Sequence, residues 1–430
     1  MDAEISTTVV DANNASVGFL IPRSSLNAIR AAGAQFTEAR TLLTRWSDSQ
    51  DRIIGPHLAN SLLEIAAVFL KLGLVAVGGP AVHVALMRRE VVVKRGWLNE
   101  KAFLDDFAAT QLIPGPSSTE LAIMLGYRQG GLPGLLVAGT LFILPAMLIM
   151  LALAWVYTHF AASTVVSDVL RGVRPVVVGV IAWALWDLGR RIVRGLFAAI
   201  VAVVVLVVGL YGINPIVLLV LGGLVFAIPF VRGLKFFPTI AIGSSLPLVG
   251  RVGEGVLNTS LLGIFLTFLK YGLVSFGSGY VLFAFLHTDV VQTYHWLTTA
   301  QLVDAIAISQ ATPGPVFTVA TFIGFVVAGV GGALVATVGI FLPGFVLVPF
   351  LDRIVRLVNE RHWAKAFLDG VNVAALGLIA EVAIQIGRSA FVDPVTILMA
   401  VIALLILLRA PLAAPALVIA GGILGFIGIR

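Results

Sequence analysis

The sequence predicts an all-α polytopic membrane protein of two homologous halves arranged as inverted repeats, each with about five spans and one broken or re-entrant segment. Three observations carry that expectation. The 430 residues are 59% hydrophobic and 12% charged, whereas soluble domains hold about 25% charged residues. A pattern recurs at constant spacing: Phe69-Leu70-Lys71-Leu72-Gly73 returns as Phe268-Leu269-Lys270-Tyr271-Gly272, 199 positions on (270 − 71). Finally, Lys and Arg are unevenly shared between equivalent loops. Residues 88–106 carry five (Arg88, Arg89, Lys94, Arg95, Lys101) and residues 287–305 none, while 351–372 holds Arg353, Arg356, Arg361 and Lys365 against Arg171 and Arg174 in its counterpart. Cytoplasmic loops hold the Lys/Arg excess, so equivalent loops fall on opposite faces and the halves are related by an axis in the membrane plane.

Composition excludes several classes. The mean hydropathy of +1.04 and the long continuous apolar runs argue for helices rather than a transmembrane barrel. The charge of +6 comes from short basic clusters between apolar runs, as in topology signals, and does not point to nucleic acid. With no cysteine, disulfides and thiol-based metal or redox sites are impossible. The six histidines are scattered and none recurs with metal-ligand spacing, so no metal or cofactor is expected.

The elements follow in order. Residues 1–57 are a polar tail without the basic region and apolar core of a signal peptide; Ser24–Trp46 reads equally as a surface helix or solvated coil. The first repeat, 58–231, opens with an apolar segment at about Asn60–Met87 and a charged stretch at Arg88–Asp106. A Pro-Gly-Pro segment, a Gly130-Gly131 turn, the run Leu132–Tyr157 with Pro145, and runs at 175–189, 196–211 and 215–231 complete it. A linker, 232–256, precedes the second repeat, 257–430. There the spacing of 199 holds through Pro315 and becomes 198 after a one-residue gap, pairing Pro145 with Pro343, Gly172 with Gly370, Gly179 with Gly377 and Gly189-Arg190 with Gly387-Arg388. Inversion needs an odd number of crossings per half, and six apolar segments are present. A re-entrant Pro-Gly-Pro segment resolves this, although it puts the N-terminal tail outside without an export signal.

The candidate site begins at that segment. Gln111-Leu112-Ile113-Pro114-Gly115-Pro116 recurs as Gln310-Ala311-Thr312-Pro313-Gly314-Pro315. Proline breaks a helix, and in lipid a broken helix is tolerated only inside protein or beside a polar cavity. Matching breaks in two halves point to a transporter's binding site. After each break a helix restarts, through Ser117, Ser118, Thr119 and Glu120 in one half and through Val316, Phe317 and Thr318 in the other. Its free amides and positive dipole end suit an oxyanion, with hydroxyls from the serines and threonines. Gly78 and Gly79, with Gly277, Ser278 and Gly279, permit a second close backbone approach. Lys71 and Lys270 lie in apolar runs, where an ammonium costs about 2.5–3.5 kcal/mol; a symmetric cation pair suits a dianion, the bland alternative being snorkelling to the interface. Gln111 and Gln310 either donate to the ligand or cap exposed backbone. Glu120 either pairs with a cation such as Lys71 or carries a proton. His83 is a second proton candidate, though an internally hydrogen-bonded histidine accounts for it as well. Gly172 and Gly179 read as sites of tight helix packing.

Taken together, Phe69-x-Lys71-x-Gly73, Gly78-Gly79-Pro80-Ala81-x-His83, Arg89-Glu90-x-Val92, Trp97-Leu98, Gln111-x-x-Pro114-Gly115-Pro116 and Gly126-Tyr127…Gly131…Phe142…Pro145 resemble the chromate ion transporter family of the ChrA type, in its long-chain, two-domain form. The resemblance covers about residues 58–428. One departure is Ala76-Val77, where a Ser-Phe pair is expected and where Ser275-Phe276 keeps it. The resemblance implies a bacterial inner-membrane exporter of chromate, with sulfate as a related oxyanion, coupling to the proton gradient as an antiporter, and no enzymatic activity. A homodimer is compatible with it. Two other readings stay open on the residues alone: a passive anion channel, and a membrane enzyme acting on a phosphorylated lipid.

Overall fold

Glycine, proline and short polar caps punctuate the helices much as their spacing suggests. The computed structural model describes residues 58–160, 163–230, 259–276, 279–410 and 413–428, with two short strands in the tail, β1 (Thr8–Val10) and β2 (Ser16–Gly18), paired antiparallel. The postulated helix at 24–46, the linker 232–256, and Gly277 and Ser278 lie outside the described residues. Residues 1–58 form a unit of their own; the strand pair within it was not anticipated.

Repeat 1 comprises α1 (Leu58–Val75), α2 (Pro80–Arg88, carried on to Lys94 by a wider π turn), α3 (Glu100–Thr110), α4 (Ser117–Phe160), α5 (Thr164–Ile192), α6 (Leu196–Leu210) and α7 (Pro215–Ala227). Repeat 2 comprises α8 (Leu261–Val274), α9 (Val281–Phe285, carried on to Thr293 by a π turn), α10 (Thr299–Ala311), α11 (Val319–Leu347), α12 (Leu351–Glu360), α13 (His362–Ala390), α14 (Pro394–Arg409) and α15 (Ala414–Phe426). The π turns fall at equivalent places in the two repeats. Among the described residues three stretches, Ser117–Phe160, Val316–Glu360 and His362–Ala390, are long and apolar enough to cross a membrane. The protein is a helical, polytopic membrane protein of two repeats.

Three reversals shape each repeat. The first 18 residues of the apolar run form α1, and the chain then folds back as α2 after Ala76–Gly79. Lys71 reaches Glu90 at 2.9 Å and Glu64 reaches Arg95 at 3.1 Å, pairings that only antiparallel arms allow. The segment read as one run, about 60–87, is thus a helical hairpin. The Pro-Gly-Pro segment makes the second reversal: Asp106 on α3 meets Arg128 on α4 at 3.0 Å. With 11 residues, α3 is about 16 Å long, too short to cross about 30 Å of hydrocarbon. This is the geometry of a re-entrant segment. The third reversal lies inside α4 at Gly130 and Gly131, the latter at φ 60° and ψ −149°. Gly126 and Gly134 would stand about 12 Å apart in a straight helix; instead each faces the other's backbone. In α11 the same turn falls at Ala328 and Gly329 (φ 61°, ψ −151°).

The repeats are assembled by exchange. The terminal hairpin of repeat 1, α6–α7, packs on α13 of repeat 2, while α14–α15 packs on α5. Close backbone approaches make both seams: Gly172 lies on Gly421 and Gly425, and Gly370 on Gly222 and Gly223. A side chain at any of these positions would drive the helices apart, so Gly172 serves packing, as does Gly179 against Ala400. The homologous helices α5 and α13 run antiparallel, since Gly189 lies over Leu376 and Gly387 over Val178. Equivalent helices running in opposite directions are the structural form of inverted repeats. Exposed Leu, Ile and Val on α6, α7 and α14 face outward as a lipid-facing surface.

Candidate functional site

The hairpins bring four chain breaks together where the repeats meet. Gly115 N–H donates to Ser275 O at 2.7 Å, and Gly314 N–H donates to Ala76 O at 2.8 Å. These are one contact made twice: 115 and 314 are 199 apart, as are 76 and 275. Each Pro-Gly-Pro tip is therefore stitched to the break after the first helix of the other repeat. Gly115 (φ 127°) and Gly314 (φ 95°) adopt a backbone that L side chains rarely take. They also have no room: a Cβ at Gly115 would strike Glu120 Oε1, and one at Gly314 would strike Ala146. Their flanking prolines carry no amide proton, so the glycine is the donor available within each Pro-Gly-Pro triplet.

Around the first tip lies a polar cluster without a counterpart in repeat 2. The His83 ring is buried, with Nε2 3.1 Å from Ala76 O and Nδ1 3.1 Å from Ser118 Oγ. A carbonyl only accepts, so Nε2 carries the proton; in the neutral ring Nδ1 then accepts from the Ser118 hydroxyl. Ala76 O thus receives both His83 and Gly314 of the opposite repeat. At the equivalent positions repeat 2 has Leu282 and Phe317.

Glu120 is 1% exposed, folded back beneath Gly115 and against Gly344 of α11. Among the described residues its Oε2 has no hydrogen-bond partner, and neither have Thr119 Oγ1, Ser275 Oγ or Gln310 Nε2, all on or beside these breaks. Burying such a group unpaired costs about 1–3 kcal/mol, so four of them at the breaks are a cost that packing alone does not explain. Among the described residues no cation pairs with Glu120. The Thr119 and Glu120 amides turn back to Pro116 O at 2.6 and 3.2 Å, leaving the Ser117 and Ser118 amides without an acceptor among the described residues. In repeat 2 the Thr318 amide and hydroxyl both bond Pro315 O, at 3.0 and 2.8 Å. Thr318 is thereby occupied, and Val316 and Phe317 make the surroundings apolar.

Other expected site residues lie elsewhere. Lys71 pairs with Glu90, which also holds Lys94 at 2.8 Å and Arg95. Lys270 pairs with Asp289, to which Tyr271 Oη donates at 3.1 Å. The lysines close the arms of the first hairpins, and Glu120 is not their partner. Glu90 and Asp289 were missed as partners, although they stand 199 apart like the lysines themselves. Gln111 Oε1 accepts from Ser117 Oγ at 3.4 Å, acting within its own tip. Gly78 and Gly79 form the break after α1, and Gly279 lies against Phe317.

Two further ion clusters, also not anticipated, join the repeats. Arg128 spans Asp106 of its own repeat and Asp352 of the other, at 3.0 and 2.9 Å. Asp304, 1% exposed, holds Arg174 of repeat 1 through bonds of 2.8 and 2.9 Å and the Tyr157 hydroxyl at 3.0 Å. Asp106 and Asp304 stand on the homologous helices α3 and α10, so inversion puts these clusters on opposite sides of the tips. Among the described residues no group of His, Asp and Glu could hold a metal ion.

Fold and site define a class: a membrane protein of two inverted repeats whose discontinuous helices meet where the repeats join, an arrangement found among transporters. Comparison with known proteins narrows it. The profile of the chromate transporter family matches residues 63–227 and 262–426, and the chain belongs to that family. It is 33% identical over 372 residues to a probable chromate transport protein of Synechococcus elongatus, covering 83% of this chain and 92% of the relative. It is 31% identical over 376 residues to the chromate transport protein of Cupriavidus metallidurans (85% and 92% covered) and 32% identical over 355 to that of Pseudomonas aeruginosa (80% and 84%). No solved structure matches the chain.

Proposed function

We propose that the protein is a secondary active transporter that exports chromate across the bacterial inner membrane, with sulfate as a related substrate and with coupling to the proton gradient. The curated relatives named as chromate transport proteins support the substrate. The observation that carries the mechanism is the first tip, where a buried carboxylate with an unpaired oxygen lies beside the start of a helix. The Ser117 and Ser118 amides, the Ser117 and Thr119 hydroxyls and the positive helix end receive the oxyanion. Glu120 takes up and releases the proton, and His83 joins the two tips through Ala76 O. Lys71 and Lys270 act as clamps of the hairpins that carry the tips. For the site to open alternately to each side, the repeats rock, and the contacts that exchange are the Arg128–Asp352 and Arg174–Asp304 pairs.

Flux in proteoliposomes tests this. The wild type is expected to move chromate against its gradient when a pH gradient is imposed, and Glu120→Gln to insert normally and lose that response. Purely downhill flux by the wild type would identify a channel, and pumping by Glu120→Gln with unchanged pH dependence would remove Glu120 from the coupling.

A further inference from the structure

A groove on the outer wall between the repeats has no part in the transport reading. It runs along α5, walled by α13 and α14, in two adjoining sections of about 620 and 700 Å³ that share Ala182, Leu185 and Leu404. The walls are apolar, and each section contains one arginine, Arg388 in the first and Arg190 in the second. Both α5 and α13 have 29 residues, about 43 Å. That exceeds the hydrocarbon core, so their last turns, which hold these arginines, lie at the depth of lipid headgroups. Because the helices are antiparallel, the arginines mark opposite ends of the groove.

The two arginines are equivalent in sequence and different in charge balance. Arg190 is paired with Asp187 at 2.5 Å, a carboxylate it shares with Arg191 at 2.7 Å. The position equivalent to Asp187 is Gln385 (187 + 198), whose amide is engaged by Glu381. Arg388 is exposed and among the described residues has no carboxylate partner. An unpaired guanidinium at headgroup depth, above an apolar trough, is complementary to a phosphodiester with an acyl chain.

We propose that this groove holds an anionic phospholipid, its phosphate on Arg388 and one acyl chain along Val178, Ala383, Val401 and Leu404. Its walls come from both repeats, so the lipid lies across the seam between them. Basic residues at the ends of transmembrane helices capture anionic headgroups in this way. The proposal does not depend on what the protein transports.

Native mass spectrometry of the protein released from vesicles of equal phosphatidylglycerol and phosphatidylcholine tests it. The wild type is expected to retain phosphatidylglycerol about fivefold over phosphatidylcholine, the worth of one basic residue near an anionic surface. Arg388→Gln should abolish that preference, Arg388→Lys should restore most of it, and Arg190→Gln should leave it intact. Ala383→Phe, which fills the trough with Arg388 in place, should release the lipid. Equal retention of both lipids by the wild type, an unchanged preference in Arg388→Gln, or full retention in Ala383→Phe would each overturn the proposal.

Discussion

The Arg174–Asp304 pair joins the repeats at one point, and its strength can be worked out from its burial. Asp304 is 1% exposed and takes two bonds from the Arg174 guanidinium and one from Tyr157. Arg174 keeps 27% of its side-chain surface. Removing one partner of a buried pair costs about 3–5 kcal/mol, because the survivor is left charged and dry. Asp304→Asn leaves the partly wetted arginine and should fall near about 3 kcal/mol. Arg174→Gln leaves the fully buried carboxylate with Tyr157 alone and should fall near about 5 kcal/mol. Tyr157→Phe removes one charge-assisted bond, about 1.5–3 kcal/mol. In the double variant both charges are gone, so its loss should be smaller than the sum by about 2 kcal/mol or more. Unfolding in mixed micelles, followed by the fluorescence of the seven tryptophans, gives all four corners of the cycle. Additivity within about 0.5 kcal/mol would mean that the two side chains do not interact, and the cross-repeat contact would have to be abandoned.

Gly115→Ala is expected to be much more harmful than Gly131→Ala. Both positions have positive φ, but a methyl at Gly115 meets Glu120 while at Gly131 nothing among the described residues lies within 4 Å; the second should cost about 1–3 kcal/mol of strain and retain transport, and equal damage would mean that backbone strain alone sets the effect. Lys270→Gln should destabilise more than Lys71→Gln, because Glu90 keeps Lys94 and Arg95 whereas among the described residues Asp289 keeps Tyr271 alone; equal loss of chromate affinity in both, with stability unchanged, would instead return the lysines to the binding site. Since the chain has no cysteine, single cysteines at Lys101 and Thr299 report sidedness cleanly, and labelling of both from one side of the membrane would contradict inversion.

Much of this architecture is legible in the sequence because helix breakers act locally. Pro114-Gly115-Pro116 and Gly130-Gly131 reverse the chain where proline and glycine chemistry says they should, and repetition at spacings of 199 and then 198 reveals the halves before any contact is known. The break at 76–79 was harder to read. Hydropathy registers that residues 60–87 are apolar and is blind to a change of direction within them. Partners distant in sequence were illegible for a related reason. Arg174 and Asp304 are 130 positions apart, and each reads alone as a topology signal or a stray charge. Glu90 was readable in principle, standing at the same spacing to Asp289 as Lys71 to Lys270, but its neighbours Arg88 and Arg89 made the stretch look like a basic loop.

The two repeats share a backbone and have parted in chemistry. Their tips make the same glycine-to-carbonyl bond, and their first hairpins are closed by the same Lys–carboxylate pair. Yet His83, Ser117, Ser118 and Glu120 in repeat 1 face Leu282, Val316, Phe317 and Val319 or Ala320 in repeat 2. A duplicated scaffold in opposite orientations is what lets one centre be reached from either side, and for that the backbone must stay equivalent. Two buried carboxylates at such a centre would each pay for desolvation and repel the other at close range. A single acid avoids both costs and leaves the opposite wall free to be apolar, as Phe317 makes it. Under the proposed function the symmetry belongs to the motion and the asymmetry to the ligand. Rebuilding the polar set in repeat 2, with Phe317→Ser and Val319→Glu, is therefore expected to lower stability and to gain no second proton per cycle, and a doubled proton-to-chromate ratio in that variant would refute it.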